Sequence, residues 1–224
     1  MKIKKVVITI IGFLTIITNK NQKSDLEKYV ELKVNNVPSI KQEDLPSEFS
    51  DESFKVIDEF IRKTIYLNFE ILIYFDYITG EILKCKFGDK TNVKLKIKED
   101  EFNNKHVDSI HNHTKDMYTP PSDKNFGIFS RDWEDYELIA GKNGLWILKG
   151  KLKNDLLTFE LKLNSSKLFN MTLDYYSKRY QNEDERNDKI DEEYGKLLKN
   201  YINNKNQSKI QLIKREYSND CKNG

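Results

Sequence analysis

The chain predicts an α+β (mixed α/β) domain, a mixed sheet flanked by helices, and three observations carry that reading. Phe69, Ile71, Ile73 and Phe75 alternate along the β-prone stretch Tyr66 to Ile78, which puts them on one face of a strand with Glu70 on the other. Phe54, Ile57, Phe60, Ile61 and Ile65, just before it, recur at helical spacing. Far downstream, Ile190, Tyr194, Leu197, Leu198 and Tyr201 draw a second amphipathic helix stripe. Short strands interspersed with a few helices bury their apolar faces best in a layered α+β arrangement.

Taken in order, residues 19–49 are polar, with prolines at 38 and 46, and predict a linker or loosely packed arm. Ser50 caps a helix over about 51–66. Thr79-Gly80 turns the first strand into a second, Glu81 to Phe87, and Val93, Leu95 and Ile97 alternate as a third. Val107 to His111 is a strand, and helical residues follow over about 123–133. Tyr136 to Ala140 and Leu145 to Leu148 pair across the turn Gly141-Lys142-Asn143-Gly144. Leu157, Phe159, Leu161 and Leu163 alternate as a further strand. Leu168 to Tyr180 is helical, Gln181 to Lys189 is a charge run that predicts a solvated loop, and Lys209 to Tyr217 is a last strand. The domain plan is thus an N-terminal apolar segment and linker (1–49), a central domain (50–164) and a helical C-terminal extension (165–224).

Composition narrows the partners. Hydrophobic residues make up 38% of the 224, with twelve Tyr and twelve Phe, enough for a core. Thirty-eight basic against thirty-six acidic side chains give +2, with the lysines scattered among acids, so no field draws nucleic acid. Cys85 and Cys221 lie too far apart in sequence for a metal-ligand spacing. The basic start Met1-Lys2-Ile3-Lys4-Lys5 precedes an uncharged run from Val6 to Thr18. Two readings stand side by side: a signal-peptide-like leader or anchor, and a buried β-rich segment. The expected compartment is cytoplasmic, with export or membrane anchorage through residues 1–18 as the alternative.

Chemistry concentrates in Ser109-Ile110-His111-Asn112-His113 and its continuation through Thr119-Pro120-Pro121-Ser122. Two residues apart on a strand, His111 and His113 aim at one point and make half of a tetrahedral zinc site. The plainer reading is two solvated side chains at a strand end. Ser122 reads as a helix N-cap and Asn125 as its partner three residues on.

This order of features resembles the JAB1/MPN/JAMM metalloprotease family, whose pattern is H-x-H-P, seven residues, then S-x-x-D, with a glutamate far upstream. Here His111-Asn112-His113-Thr114 is followed by residues 115–121 and then Ser122-Asp123-Lys124-Asn125. Upstream, Glu70, Asp76, Gly80, Gly88 and Val93 are similar to the phage- and plasmid-type branch. The resemblance covers roughly residues 60–150. It implies a JAB1/MPN-like (cytidine-deaminase-like) mixed sheet and a zinc-dependent peptidase or isopeptidase acting on a protein substrate or ubiquitin-like partner. It also implies His111 and His113 as zinc ligands, Glu70 as general base and Ser122 as a donor to the tetrahedral intermediate. Two positions depart from the pattern. Thr114 stands where proline is usual, and Asn125 occupies the third ligand position, normally Asp. An amide oxygen brings no charge to zinc, so metal affinity should fall. The alternative to an active enzyme is a degenerate MPN-like module that binds a protein partner without a full zinc site.

Overall fold

The computed structural model describes residues 23–35, 39–95, 97, 99–102, 105–128, 134–150, 155–205 and 210–218. The N-terminal apolar run and Cys221 lie outside them. The chain divides into two units between Leu32 and Lys33. In the first, α1 (Asp25–Val30) opens with a capping box: the Ser24 hydroxyl accepts from the Glu27 amide and the Glu27 carboxylate accepts from the Ser24 amide. Part of the expected linker is therefore helical, because Ser24 and Glu27 satisfy the amides that a helix start leaves open.

In the second unit, β1 (Ile71–Asp76), β2 (Ile82–Phe87), β3 (Val107–Asn112), β4 (Tyr136–Gly141), β5 (Gly144–Gly150) and β6 (Ile210–Arg215) form one sheet in the order β2-β1-β3-β4-β5-β6. Only β3 and β4 run parallel; the other neighbours are antiparallel. Helix α2 (Asp51–Thr64) begins where the Ser50 hydroxyl accepts from the Ser53 amide, and buries Ile57, Phe60 and Ile61 against β1, β3 and β4. The sheet face carrying Ile71, Ile73, Phe75, Ile110 and Leu138 is fully buried. The opposite face meets α3 (Asn125–Ile128), α4 (Asp155–Ser177) and α5 (Glu183–Lys205), whose Phe126, Leu161, Tyr194, Leu198 and Ile202 close over Ile139, Trp146, Leu148 and Leu212.

The β1–β2 hairpin turns at Gly80, whose φ of +73° suits glycine and where a Cβ would lie 2.9 Å from the Glu52 backbone. Asp76 holds that turn. Its carboxylate accepts from the amides of Ile78, Thr79 and His106, which outweighs its burial and keeps its pKa low.

Three expectations are corrected. Leu157, Phe159, Leu161 and Leu163 belong to α4, not to a strand. In a run without Gly or Pro, apolar residues spaced for a helix decide the matter: Leu161 is buried and Leu157 and Leu168 pack on the core, while Phe159 and Leu163 are exposed. The charge run is not a loop beyond residue 182. Glu183, Asp184 and Glu185 form the first turn of α5, where acids favour the positive helix end, and the Asn182 side chain accepts from the Glu185 amide. Val93, Leu95 and Ile97 form no strand. Both edges of β1 are already paired, and these residues instead lay apolar side chains on Leu72, Tyr74, Phe102 and Val107. Beyond residue 128, the helix expected over 123–133 runs outside the described residues. Residue 165, the expected start of the C-terminal extension, lies inside α4, and β6 is a strand of the same sheet. Among the described residues no helix is long and apolar enough to cross a membrane.

Candidate functional site

Register brings the sequence candidates to one face. Leu72 pairs with His111 across β1 and β3, and Ser109 pairs with Glu137 across β3 and β4. Directly paired residues point the same way, and alternation carries Glu70 and His113 to that side as well. Glu70, His111, His113, Ser122 and Asn125 all line one cavity of about 400 Å³, together with Glu137, Lys124, Tyr118, Phe169 and Tyr194.

Glu70 is held at the start of β1 by its backbone: its amide donates to the Asp89 carbonyl and its carbonyl accepts from the Gly88 amide, both at 2.8 Å. Burial pushes its carboxyl up to about 7, although the Val93 amide donates to it and the Lys124 ammonium lies nearby. A second restraint comes from between the two histidines. Asn112 points to the opposite face and is fully buried. Its oxygen accepts from the Ile71 amide at 2.6 Å, and its nitrogen donates to the carbonyls of Thr64 and Phe69 at 3.2 and 3.1 Å. It therefore pins the backbone on either side of Glu70 to the end of β3. Asn112→Ala should cost about 3 kcal/mol, since one donor and two acceptors lose buried partners. Urea denaturation checks this, and an unchanged midpoint refutes the anchoring role.

Both imidazoles are buried, and burial lowers their pKa, to about 4 for His113 and well below the usual range for His111, where His113 adds a smaller push. They are neutral at pH 7, the form in which histidine binds metals. His113 Nδ1 donates to the Tyr118 carbonyl at 2.6 Å, and His111 Nδ1 faces Glu137 Oε1 at 3.6 Å. The loop that supplies the Tyr118 carbonyl is tied down by α5, where the Thr119 amide donates to Asp191 at 2.5 Å and the Tyr194 hydroxyl to the Pro121 carbonyl at 2.7 Å. The segment beyond the motif thus positions the motif. Thr114, in the unusual position, is buried and donates its hydroxyl to the Lys90 carbonyl. His106 lies apart, against Tyr77.

Asn125 is where the arrangement departs most from a three-ligand metal site. Its oxygen accepts from the Ser122 amide at 2.7 Å and from the Ser122 hydroxyl at 2.9 Å. An amide N–H can only donate, so the side-chain oxygen must face Ser122. Asn125 Nδ2 is left 3.0 Å from His111 Nε2 and 3.3 Å from Glu137 Oε1. α3 begins at Asn125 and not at 123, so Ser122 is not its N-cap, correcting the sequence reading; the pair meets only through the Asn125 side chain, which reaches back to the Ser122 amide and hydroxyl. Among the described residues no group of three or more His, Cys, Asp or Glu is arranged to hold a metal ion. Neutral imidazoles suit zinc in kind, and His113, whose Nδ1 donates to the Tyr118 carbonyl, keeps Nε2 for a metal. His111 Nε2 is met by the Asn125 amide nitrogen, which must turn away before an ion fits both rings.

No family model, curated protein or solved structure matches this chain. The site therefore stands on its own geometry. Two of its residues escaped sequence reasoning. Glu137 carries no sequence signal beyond its place in a strand, and for Asn112 the one available signal is its position between two histidines that share a face.

Proposed function

We propose that the domain is JAB1/MPN-like and that its cavity is an amide-hydrolase site of the JAMM type acting on a protein substrate. The observation that carries this reading is the convergence of Glu70, His111, His113 and Ser122 on one cavity from a hairpin, a strand end and the loop before a helix. His111 and His113 would hold zinc, which supplies Lewis acidity, polarising a carbonyl and bringing the pKa of water toward about 7. Glu70 is the general base. A carboxyl already raised to about 7 accepts a proton from the attacking water and returns it to the leaving amine near neutral pH. Ser122, whose hydroxyl donates to Asn125 at rest and lines the same cavity, would serve as a donor to a developing oxyanion. The apolar wall of Leu72, Val93, Tyr118 and Phe169 excludes water from the proton's path.

One observation favours a second reading, a partner-binding module with a degenerate zinc site: Asn125 turns nitrogen, not oxygen, toward His111. Zinc content after purification and cleavage of an isopeptide-linked reporter separate the two. Stoichiometric zinc with cleavage that depends on Glu70 supports the hydrolase. A metal-free, inactive wild type that gains both on Asn125→Asp supports the degenerate module.

A further inference from the structure

The cavity is lined from two sides that differ in chemistry. Glu70 and the imidazoles come from the sheet, whereas Tyr118, Phe169 and Tyr194 come from the loop after β3 and from α4 and α5. These rings make a continuous wall. Phe169 forms T-shaped contacts with both tyrosines, its centroid 5.0 Å from that of Tyr118 and 5.3 Å from that of Tyr194. Both phenol hydroxyls donate elsewhere, Tyr118 to Asn187 Oδ1 at 3.1 Å and Tyr194 to the Pro121 carbonyl at 2.7 Å. The wall therefore offers a ligand ring surface and no free hydroxyl proton. Tyr118 and Phe169 are only partly buried, so their rings meet the cavity and are not sealed in the core. Ser165 and Ser166 lie three and four positions before Phe169 on α4, on the same side of the helix, and their small side chains leave room beside its ring. The wall also adjoins the reacting groups, since the Tyr118 carbonyl accepts from His113 Nδ1 at 2.6 Å. A cavity of about 400 Å³ has room for a side chain next to an amide.

We propose that the Tyr118–Phe169–Tyr194 wall is a specificity subsite for a bulky apolar side chain, aromatic or long aliphatic, flanking the amide to be cleaved. This deepens the hydrolase reading and rests on it for the identity of the reacting bond. An apolar side chain seated there exchanges water for ring contacts, whereas an acidic one gives up its hydration without gaining a donor from the wall. Phe169 and Tyr194 lie beyond the motif, so α4 and α5 select what the motif cleaves.

The probes are three capped amino-acid amides, N-acetyl-phenylalanine amide and its alanine and aspartate counterparts. They are titrated into the metal-free full chain carrying ¹³C-methyl methionine. Met117 lines the cavity, while Met171, 68% exposed on α4, does not and reports non-specific binding. The phenylalanine amide should shift the Met117 methyl and leave Met171 unmoved. It should bind at least about tenfold more tightly than the alanine amide, the least that burying an aromatic side chain implies. The aspartate amide should bind no better than the alanine amide. Ser166→Leu fills the space and Phe169→Ala removes the centre of the wall, so each should bring the phenylalanine-to-alanine ratio toward one. Ser166 is a partly exposed helix position that suits leucine, so this variant decides the matter where Phe169→Ala does not fold. Equal binding of the phenylalanine and alanine amides by wild type overturns the proposal. A shift at Met171 without one at Met117 overturns it, as does an undiminished preference in folded Ser166→Leu. Binding is read without zinc or turnover, so a wild type that never cleaves refutes the hydrolase reading and leaves the apolar site standing, while a cleaving enzyme without the preference refutes the subsite alone.

Discussion

Glu70→Gln should cut hydrolysis of an isopeptide-linked reporter by about 10²–10⁴-fold, the usual worth of a positioned general base. Glutamine preserves size and can still accept from the Val93 amide, so zinc content should not change. Retained turnover in a folded, zinc-matched variant refutes Glu70 as base. The same variant tests the buried carboxyl itself. The Glu70 pKa stands at about 7 in the folded chain against 4.5 for the exposed group, so between those values the folded state keeps a proton that the unfolded state has lost. The slope of stability follows protons bound unfolded minus folded, which is negative here. Metal-free wild type should therefore lose stability relative to Glu70→Gln as pH rises from about 5 to about 7, with a constant gap above. His113, lowered to about 4 from 6.5, works in the opposite sense: its contribution is complete above about 6.5 and is lost as pH falls toward about 4. Both chains carry it, so it cancels in the difference. Thermal melts at several pH values read the gap, and a gap independent of pH excludes a raised Glu70 pKa.

Asn125→Asp should have the second large effect, of opposite sign with and without metal. Where Nδ2 now donates to His111 Nε2 and faces Glu137 Oε1, at 3.0 and 3.3 Å, the variant places a carboxylate oxygen against a lone pair and another carboxyl group. Without metal that should cost about 3 kcal/mol, the scale of buried groups left without donors. A divalent cation reverses the sign, because it neutralises the new charge and joins it to both imidazoles. Melting temperature should fall in chelator and rise with zinc, by about 4 kcal/mol of added stability at a thousandfold excess over the dissociation constant. Zinc affinity should exceed that of wild type by at least about tenfold. Equal zinc affinity in the two proteins shows that the amide at 125 is no obstacle to metal.

Much of the fold was legible where burial imposes a local period. Ile57, Phe60 and Ile61 mark one face of α2, and Ile71, Ile73 and Phe75 one face of β1, because each set is buried within a single regular element. Where two periods coexist the sequence misleads. Residues 157–163 satisfy a strand pattern and a helix pattern together, and only packing against α5 and the sheet selects the helix. At residues 183–189 charge suggested solvent, whereas the helix needs acids at its start. The candidate site shows the same division. The spacing from His111 through Ser122 to Asn125 is a chain property and could be read directly.

By itself, then, the sequence determined the helix and strand faces that carry apolar periodicity, the turn at Gly80, and which residues could converge on one pocket. Only the tertiary structure decided that Asn112 clamps the backbone around Glu70, that α5 holds the loop behind His113, and that Asn125 turns its nitrogen to His111 with Glu137 beside it. The physical reason is that hydrogen-bond orientation and burial depend on neighbours brought together by strand register and helix packing, often dozens of residues apart, and no local spacing encodes them.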